Sequence, residues 1–424
     1  MSLALWAYAA VSSAVFPFIE GWLDRRHAEG ADERRGIYAA EKLQKLKRGK
    51  TLWIHAVSVG EVQAASSVVD RIAASGWDGA TLLSTVTETG ALSADMLMGG
   101  KIASRVFAPW DIPVITRRAA DAIAPAVYAT VETEVWPNLL SEMRRRGIPT
   151  MLINARISDR TLARAKPALR LMKEAYGMFD AILARSQDDE RRLVSLGVEG
   201  SVITVTGDTK VDALARRKAN AGQNIRELRQ KILPRGGPCF VAGSTHPGED
   251  EVLIEAFSRL LREKDPPGAK LVIVPRHPDR AEAVFEIASA VGGAELYTKL
   301  RGPDESDILI VDAVGLLFDL YGLADAAFVG GSLVPKGGQN ILEPAIWGVP
   351  VLHGPHMEDF AGPANELDSS GMSFKVETAD EIERLWRLAA KGALLRPPEN
   401  QSDYIKGNTG AADRVLTALK RYLP

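Results

Sequence analysis

The residues best suited to binding a ligand lie in a glycine-rich segment, residues 328–345. A strand-like apolar run leads into two glycine pairs and then into a helix-like stretch; the glycines are Gly330, Gly331, Gly337 and Gly338. Glycine lets the backbone approach a ligand, and amides at the start of the following helix can hold a phosphate. Glu343, one turn into that helix, can accept hydrogen bonds from both ribose hydroxyls. The segment predicts a site for a nucleotide that carries a sugar; glycine-rich turns without a ligand are the alternative.

Other well-known motifs are missing from the chain. It has no GxxxxGK[ST] sequence, which disfavours a P-loop enzyme, and no GxGxxG follows the first predicted strand, which weakens a nicotinamide-binding interpretation. His353 and His356 lack a third ligand nearby in sequence, so we predict no metal site. Ser58 lies outside a GxSxG motif, which weakens a serine hydrolase interpretation.

Two more turns in the C-terminal half carry polar residues at predicted strand ends. In residues 274–278, Arg276 could pair with a phosphate or a base carbonyl, and prolines flanking the Arg276-His277 pair restrict its backbone. The turn at 243–249 is a second candidate for binding an anion before a helix, through Ser244, Thr245 and His246. A structural turn with a solvated arginine is the alternative for the first of them.

Two glutamates in the N-terminal half are candidates for acid–base chemistry. Glu61 lies between the first predicted strand and the first helix, and Glu132 follows another strand at the same expected edge. A carboxylate shielded from water near a second acid has a raised pKa and can take a proton from a hydroxyl group. We therefore predict Glu61 as a general base with Glu132 as the second acid. For either glutamate the alternative is a helix-capping or salt-bridged role.

The elements that must position these residues follow a regular alternation. After Lys50, short apolar runs are each followed by a longer amphipathic stretch, which predicts parallel α/β structure. The predicted strands are 52–57, 80–86, 105–108, 126–131, 150–154 and 181–184, then 240–242, 270–274, 308–311, 326–329 and 350–352. Helices are expected between them, such as 62–74 and 138–146. Right-handed crossovers place the carboxyl ends of parallel strands at one edge, where we expect the motifs.

The length and a composition shift divide the chain. At 424 residues it is too long for one compact core. The polar, basic stretch 216–231 and the Pro-Arg-Gly-Gly-Pro sequence at 234–238 indicate a connection. We predict a first α/β domain at 28–207, a linker with one helix at 208–238, a second α/β domain at 239–405, and a C-terminal helix at 406–424 that could pack on either domain. The two domains are expected to face each other across a cleft.

Charge and cysteine content limit the partners. A formal net charge of −2 gives no global basic field, so a nucleic acid partner is not expected. The single cysteine, Cys239, excludes an intramolecular disulfide and indicates a reducing compartment.

The first residues predict an attachment to a membrane. Residues 3–19 are mostly apolar and contain no charged residue, Arg25 and Arg26 follow them, and we predict a membrane-associated helix at 1–27. Residues 42–50 contain five basic residues and no acidic residue, which suits an anionic lipid surface. An apolar helix packed on its own domain, followed by a solvated linker, is the alternative.

Taken together, the motifs resemble those of the Kdo transferases of lipopolysaccharide synthesis (3-deoxy-D-manno-octulosonic acid transferases). The resemblance spans nearly the whole chain and rests on seven segments: HAVSVGE at 55–61, ETEVWPN at 132–138, NARIS at 154–158, STHPGE at 244–249, PRHP at 275–278, GGSL at 330–333 and NILEP at 340–344.

The resemblance implies a GT-B fold: two Rossmann-like domains with parallel sheets facing across a cleft. The donor would be CMP-Kdo and the acceptor a lipid A precursor, in an inverting, metal-independent reaction without a cofactor, at the cytoplasmic face of the bacterial inner membrane. Glu61 would be the base, Glu132 a second essential acid, and Arg276 and Glu343 would hold the CMP part. The remaining donor-side candidates are Ser244, Thr245, His246, His277, Gly330, Gly331, Gly337, Gly338, Gln339 and Asn340; the acceptor-side candidates are Ser58, Gly60, Glu134 and Arg156.

The chain departs from the family pattern at two places. A histidine normally follows the second glycine pair, where this chain has Gln339, which can donate a hydrogen bond but cannot titrate. Many members read Lys-Phe-Asp where this chain has Lys210-Val211-Asp212, which we interpret as a packing change.

Two other functions fit the donor-side features alone. One is a GT-B transferase or epimerase that uses a UDP-sugar, and the other is a membrane-tethered sugar-nucleotide binding protein without catalysis. The motifs of the first domain distinguish a Kdo transferase from an enzyme that uses a UDP-sugar. Turnover distinguishes it from a binding protein without catalysis.

Overall fold

The computed structural model describes residues 2–157, 162, 168–394 and 403–424, and the chain divides into two compact units. The first unit comprises Met1–Ala213 and Asn408–Pro424, and the second comprises Leu214–Gly407. Ser158, the last residue of one motif, and the chain around residue 400 lie outside the described residues.

The first unit is built on a seven-stranded parallel sheet in the order β3-β2-β1-β4-β5-β6-β7. Its strands are β1 (Thr51–His55), β2 (Ala80–Thr85), β3 (Ser104–Phe107), β4 (Val127–Val131), β5 (Thr150–Ala155), β6 (Ala181–Ala184) and β7 (Ile203–Val205). The strand order reverses between β1 and β4. In open parallel sheets, ligands bind outside the carboxyl ends of the strands at such a reversal.

Helices cover both faces of this sheet, and each face has its own apolar core. They are α1 (Leu3–Arg26), α2 (Ala31–Arg34), α3 (Ala40–Leu43), α4 (Val59–Ala74), α5 (Glu88–Met98), α6 (Pro113–Ile123), α7 (Pro137–Arg145), α8 (Leu169–Tyr176) and α9 (Gln187–Ser195). The chain's last helix, Ala411–Leu419, buries Val415 and Leu419 in the same core as Val68 of α4. The C-terminal helix therefore packs on the first unit, which the sequence left open.

The second unit repeats this design with a seven-stranded parallel sheet in the order β10-β11-β9-β8-β12-β13-β14. Its strands are β8 (Cys239–Thr245), β9 (Lys270–Pro275), β10 (Ala294–Leu296), β11 (Ile308–Ile310), β12 (Ala326–Val329), β13 (Val351–His353) and β14 (Ser373–Lys375). The order reverses between β8 and β12. The glycine-rich segment begins where β12 ends, at this reversal.

Helices again form a layer on each face of the second sheet. From the division between the units onward they are α10 (Thr209–Asn220), α11 (Gly222–Ile232), α12 (Asp250–Glu263), α13 (Ala281–Ser289), α14 (Leu317–Tyr321), α15 (Leu342–Ile346), α16 (Ala361–Ser369), α17 (Ala379–Ala390) and α18 (Asp403–Asn408). The last helix of the chain, α19 (Ala411–Leu419), is the one that packs on the first unit. Trp386 of α17 stacks on Phe240 of β8 with ring centroids 4.9 Å apart, which fixes that helix on the sheet.

These sheets confirm the predicted parallel α/β class and correct two details. The segment predicted as a linker with one helix contains two, α10 and α11, and the division between the units falls inside α10. The predicted strands omitted β7, β10 and β14, which have three residues each and lie at sheet edges. A strand of three residues at the edge of a sheet contains too few apolar residues to be recognised from the sequence.

The N-terminal helix α1 is long and apolar enough to cross a membrane. One stripe of it is fixed to the first unit by polar contacts: Tyr8 Oη donates to Asp111 Oδ2 over 3.1 Å, and Asn138 Nδ2 donates to Ser12 Oγ over 3.1 Å. Arg35 forms ion pairs with Glu20 and Asp24 further along the helix. The opposite side exposes large apolar side chains, among them Leu3, Trp6, Val11, Phe18 and Trp22. The helix is therefore both packed on its own unit and apolar on its outer side.

The basic segment at 42–50 is partly neutralised. Lys42 pairs with Glu33 at 2.6 Å, and Lys50 pairs with Asp78 at 2.9 Å. Lys47 donates to the main-chain oxygen of Asp78. Three of the five cations predicted to face lipid thus have partners within the protein.

Candidate active site

The acidic residues singled out in the first unit meet at the reversal of its strand order. The turn after β1 carries Glu61 in the first turn of α4, and the turn after β4 carries Glu132 and Glu134. Because β1 and β4 are neighbours and parallel, their carboxyl ends lie side by side. Topology therefore brings three carboxylates together.

Glu61 is buried and held in place by its own turn. One carboxylate oxygen accepts from the Val57 N–H at 2.6 Å, and the other accepts from the Ser58 hydroxyl at 3.2 Å. Burial, followed by the negative charges of Glu134 and Glu132, raises the pKa of Glu61 to about 8, although the two hydrogen bonds oppose this shift. A carboxyl group with this pKa can exchange a proton near neutral pH.

Glu132 has a strained backbone and a charged partner. Its φ of +60° lies in the left-handed region, which a residue with a side chain adopts at a cost of about 1 kcal/mol. Its N–H donates to the Ile153 oxygen at 2.8 Å, and its Oε1 lies 2.5 Å from Nζ of Lys210. The strained turn thus presents a carboxylate that is already ion-paired.

Glu134 is the third acid of the cluster. Trp136 Nε1 donates to its Oε2 at 3.0 Å. Burial, opposed by this hydrogen bond and assisted by the charge of Glu132, raises the pKa of Glu134 to about 7. Nearby, His55 at the end of β1 is buried with its ring centroid 5.9 Å from that of Trp136, and burial lowers the pKa of His55 to about 4. The histidine is therefore neutral at physiological pH.

The remaining acceptor-side candidates surround this cluster. Ser58 and Gly60 belong to the Glu61 turn, and a Cβ at Gly60 would lie 3.6 Å from Nζ of Lys210. Arg156 follows β5, and its N–H donates to the main-chain oxygen of Glu132 at 3.3 Å. The structure therefore brings both predicted catalytic glutamates and all of their predicted neighbours to one edge of the first sheet.

Lys210 is a residue of this site that sequence reasoning missed. A network holds it: Asn154 Oδ1 accepts from the Thr209 N–H at 3.0 Å, and Asp208 Oδ1 accepts from the Lys210 N–H at 3.0 Å. Asn154, like Glu132, has a left-handed backbone, with φ of +54°. The available signal was the place of Lys210 in the Lys210-Val211-Asp212 motif, in which the residue that departs from the family pattern, Val211, is buried.

In the second unit, the turns after β8 and β12 are joined by one buried carboxylate. Glu249 Oε2 accepts from the N–H groups of His246 at 2.9 Å and Gly331 at 2.8 Å. Its Oε1 accepts from those of Ser332 and Leu333, both at 2.9 Å. These amides are therefore occupied by an anion from the chain itself. Glu249 lay within a recognised motif but was not predicted to have a role.

The glycines of this segment admit other parts of the chain. A Cβ at Gly330 would lie 2.3 Å from the Ser244 oxygen, and one at Gly338 would lie 2.4 Å from Met357 Sδ. At Gly337 a Cβ would lie 2.6 Å from Asp359 Oδ2, and φ is +88°. Backbone packing at Gly330 and the positive φ of Gly337 and Gly338 therefore favour glycine without any ligand, and the expected approach of their backbone to a ligand stays a prediction.

Two arginines after β9 have contrasting surroundings. Arg276 and His277 are exposed, and the Arg276 side chain has no partner among the residues that the structure describes. Arg280 is anchored: its Nη1 donates to the Thr245 oxygen at 2.9 Å, and its Nη2 pairs with the buried Asp250. Arg276 is therefore available to a ligand, whereas Arg280 stabilises the turn after β8.

The last donor-side candidates surround Glu343 at the start of α15. Asn340 Nδ2 donates to Glu343 Oε1 at 3.3 Å, and Asn340 Oδ1 accepts from the Leu342 N–H at 3.2 Å. Burial raises the pKa of Glu343, and the charge of Arg217 opposes the shift. Gln339 Nε2 would lie 3.5 Å from a Cβ at Gly331, next to His246. Arg217, whose guanidinium lies 4.2 Å from the centre of the Phe318 ring, is a further residue that sequence reasoning missed.

Each unit can thus perform a separate part of a reaction. The first unit holds a buried carboxyl group whose pKa lies in the working range of a general base, with a second carboxylate paired to a lysine. The second unit holds an exposed arginine and a glutamate suited to a phosphate and a ribose at the reversal of its sheet. Within the described ranges, no group of three or more histidine, cysteine, aspartate or glutamate side chains could hold a metal ion.

Residues 29–213 match the sequence model of a family described as 3-deoxy-D-manno-octulosonic-acid transferase (kdotransferase). The chain is similar to the 3-deoxy-D-manno-octulosonic acid transferase of Bordetella pertussis, with 32% identity over 88% of this chain and 87% of the relative. It is also similar to the enzyme of that name from Haemophilus influenzae, with 30% identity over 94% of this chain and 92% of the relative.

Among solved structures, the chain is similar to the UDP-GlcNAc 2-epimerase of Methanocaldococcus jannaschii. The TM-score is 0.62 at 14% identity, over 88% of this chain and 99% of the epimerase. At this identity the likeness shows the fold alone. It confirms the predicted fold class, a GT-B type α/β protein with two Rossmann-like units.

Proposed function

Since this chain belongs to the family of 3-deoxy-D-manno-octulosonic acid (Kdo) transferases and is thus a Kdo-transferring glycosyltransferase, we propose that it moves Kdo from CMP-Kdo to a lipid A precursor with inversion at the anomeric carbon. The observation that carries this proposal is the buried Glu61 carboxyl group at the carboxyl end of β1, whose pKa is raised to about 8. Inverting transfer requires a base for the acceptor hydroxyl, and this group has the required pKa.

In the proposed reaction, Glu61 takes the proton of the acceptor hydroxyl. The oxygen then forms a bond to the anomeric carbon of Kdo, and the bond from that carbon to the CMP phosphate oxygen breaks. The electron pair of that bond leaves with CMP. Glu61 starts ionised and ends protonated, so its raised pKa increases its affinity for the proton at the moment of transfer.

We propose that Glu132 and Lys210 support this step by setting the charge around Glu61. The Lys210 ammonium compensates the charge of Glu132 at 2.5 Å, so that the cluster does not carry three uncompensated carboxylates next to an incoming acceptor. Ser58 orients the base through its 3.2 Å hydrogen bond. Gly60, Glu134 and Arg156 line the same edge and are proposed to contact the acceptor.

We assign the CMP part to the second unit. The free guanidinium of Arg276 suits the phosphate, and Glu343 suits the ribose hydroxyls. The turns carrying Ser244, His246 and Gly331 are held by Glu249 before any ligand binds. Charge development on the departing phosphate is met by arginine, so the proposed step is independent of a metal and uses no cofactor.

We place the protein at the cytoplasmic face of the inner membrane, attached through α1. The exposed apolar side of this helix, with Trp6 and Trp22 among its residues, suits the boundary between lipid tails and headgroups. A lipid acceptor is presented at that boundary, so attachment and substrate class are consistent.

The proposal is tested by incubating the detergent-solubilised protein with CMP-Kdo and a lipid A precursor. Release of CMP and a matching mass gain on the lipid are expected, with no product from UDP-GlcNAc in a parallel reaction. Glu61→Gln should abolish both signals while CMP binding persists, and Glu142→Gln, which changes an acid outside the cluster, should retain activity. Absence of turnover in the unaltered protein would refute transfer and leave a binding function, whereas full activity in Glu61→Gln would refute only the assignment of the base.

A further inference from the structure

A groove of about 1310 Å³ lies between α1, α7 and α8 of the first unit. Its interior is apolar and includes Leu5 from α1, Met178, Phe179 and Val198, all of them buried. A volume of this size accommodates an extended hydrocarbon chain, which would replace water against these side chains.

The rim of this groove is positively charged. Five basic residues and three acidic ones line it. Glu142 is paired with Arg145 at 2.6 Å, Glu174 is paired with Arg170 at 3.2 Å, and the third acid, Glu199, is exposed. Three exposed cations therefore lack a carboxylate partner among the described residues: Arg117, Arg144 and Lys173. Among the residues with described positions, Arg144 donates to the Gly177 oxygen, at 3.3 Å, and to no carboxylate. Such a rim favours an anionic headgroup.

The groove is separate from the acidic cluster. Part of its lining, residues 177–179 and 197–202, directly precedes β6 and β7, so it lies at the amino ends of these strands. Glu61 and Glu132 lie at the carboxyl ends of β1 and β4 in the same parallel sheet. Pro113 and Asn138, which lie near the starts of the helices after β3 and β4, also line the groove, but Glu61, Glu132 and Glu134 do not. A lipid in the groove would therefore not contact the acidic cluster.

The groove is bordered by the helix that exposes apolar side chains. Leu5 and Ala9 of α1 and its N-cap residue Ser2 line the groove, while Leu3 and Trp6 in the same turns are 71% and 60% exposed. An apolar interior, a cationic rim on α6, α7 and α8, and the apolar outer surface of α1 thus adjoin one another in the first unit. This combination matches a lipid with one end in the bilayer boundary and a phosphate at the protein surface.

We propose that this groove binds an anionic membrane phospholipid, with the headgroup phosphate at Arg117, Arg144 and Lys173 and an acyl chain along the apolar interior. The inference rests on the proposed membrane attachment through α1 but not on the assigned chemistry. Bound lipid would hold α1 and the first unit against the membrane in one orientation.

The first test measures binding of the full chain to two kinds of vesicle: a mixture of phosphatidylglycerol with phosphatidylcholine, and phosphatidylcholine alone. The second test is native mass spectrometry of the protein after addition of phosphatidylglycerol. The unaltered protein should prefer the anionic vesicles and retain one phosphatidylglycerol. The triple variant Arg117→Gln, Arg144→Gln, Lys173→Gln should lose at least about tenfold in affinity for anionic vesicles and lose the retained lipid. Ser141→Trp, which fills the groove without changing charge, should lose the retained lipid alone.

A matched triple in the second unit, Arg262→Gln, Lys264→Gln, Arg301→Gln, removes the same charge elsewhere and should bind as the unaltered protein does. An equal loss in this control, or an unchanged affinity in the groove triple, would overturn the proposal. Retention of a lipid A precursor in preference to phosphatidylglycerol would also overturn it, in favour of a second acceptor site. All variants should keep Kdo transfer in detergent, so a failure of the lipid site and a failure of the proposed reaction give different results.

Discussion

The ammonium group of Lys210 lies 2.5 Å from the carboxylate of Glu132, a residue whose backbone is in the left-handed conformation. Strain of this kind persists only where the surroundings impose it, and it recurs at functional sites. Here Asn154 and Asp208 hold the Lys210 segment, while the Ile153 oxygen holds the Glu132 N–H. Both partners of the ion pair are thus positioned by the backbone of the same edge.

Replacing Lys210 by Met should change the pH dependence of transfer. Without the ammonium group, the charge of Glu132 acts on Glu61 without compensation, so the pKa of Glu61, already about 8, should rise further. We expect the acidic limb of the rate profile to move up by about one pH unit, measured as CMP release between pH 6 and pH 10. Lys210→Arg, which keeps the charge, should leave the limb close to its original position; an unshifted limb in Lys210→Met would contradict the electrostatic role.

Replacing Glu61 by Gln should stabilise the protein at high pH. The pKa of Glu61 is raised from its ordinary value of 4.5 to about 8, so its contribution to the free energy of unfolding is present below pH 4.5 and is lost as the pH rises to 8. The glutamine variant cannot ionise and should be more stable at pH 9 by about 2–4 kcal/mol, with little difference at pH 4. Thermal unfolding at the two pH values measures this.

A contrasting acid provides the control for that measurement. Glu142 is paired with Arg145 and Arg146, and hydrogen bonding to Arg145 lowers its pKa. Its contribution is therefore present at high pH and lost on acidification, so Glu142→Gln should be less stable than the unaltered protein at pH 9. Destabilisation of Glu61→Gln at pH 9 would show that its carboxylate is stabilised rather than strained by the site.

The two arginines after β9 should respond oppositely to truncation. Arg276→Ala removes an exposed side chain without a described partner, so the unfolding temperature should not change, while the KM for CMP-Kdo should rise about tenfold or more. Arg280→Ala leaves the buried Asp250 without its cation and should lower the free energy of unfolding by about 2–4 kcal/mol. Steady-state kinetics and thermal unfolding of both variants decide the assignment; an unchanged KM in Arg276→Ala would remove this residue from the donor site.

Replacing Glu249 by Ala should disorder the donor turns. Four backbone amides would lose their acceptor, at a cost of about 3 kcal/mol or more. The KM for CMP-Kdo should rise, and added acetate or formate should restore part of the affinity by occupying the vacated position. Glu255→Ala, which removes an exposed acid on the helix that follows Glu249, should change stability by less than about 0.5 kcal/mol and should not respond to acetate.

The sequence predicted the central strands well because their signal is local. Strands such as β1, β8 and β12 are buried on both faces and form continuous apolar runs. The edge strands β7, β10 and β14 have three residues with partly exposed side chains, so they lack that signal.

Single motifs in the sequence predicted which residues of the candidate site lie at strand ends, but not which partners those residues have. Glu61 and Glu132 each follow a recognisable strand, and parallel topology brings those strand ends together. The partnerships could not be predicted, because they join distant positions: Glu249 and Gly331 are 82 residues apart. The pairing of Glu249 with its amides and the ion pair of Lys210 with Glu132 both depend on packing between distant segments. Nothing in the sequence of one segment indicates which other segment it will contact.

The position of Glu249 also determines how the donor turns respond to their ligand. Because its carboxylate bonds the amides of Gly331, Ser332 and Leu333 in the buried interior, these amides can exchange with solvent deuterium only when the turns after β8 and β12 open together. The two turns therefore belong to one cooperative opening unit. Donor binding should slow the exchange of these amides, because a ligand that binds the closed turns lowers the population in which they are open.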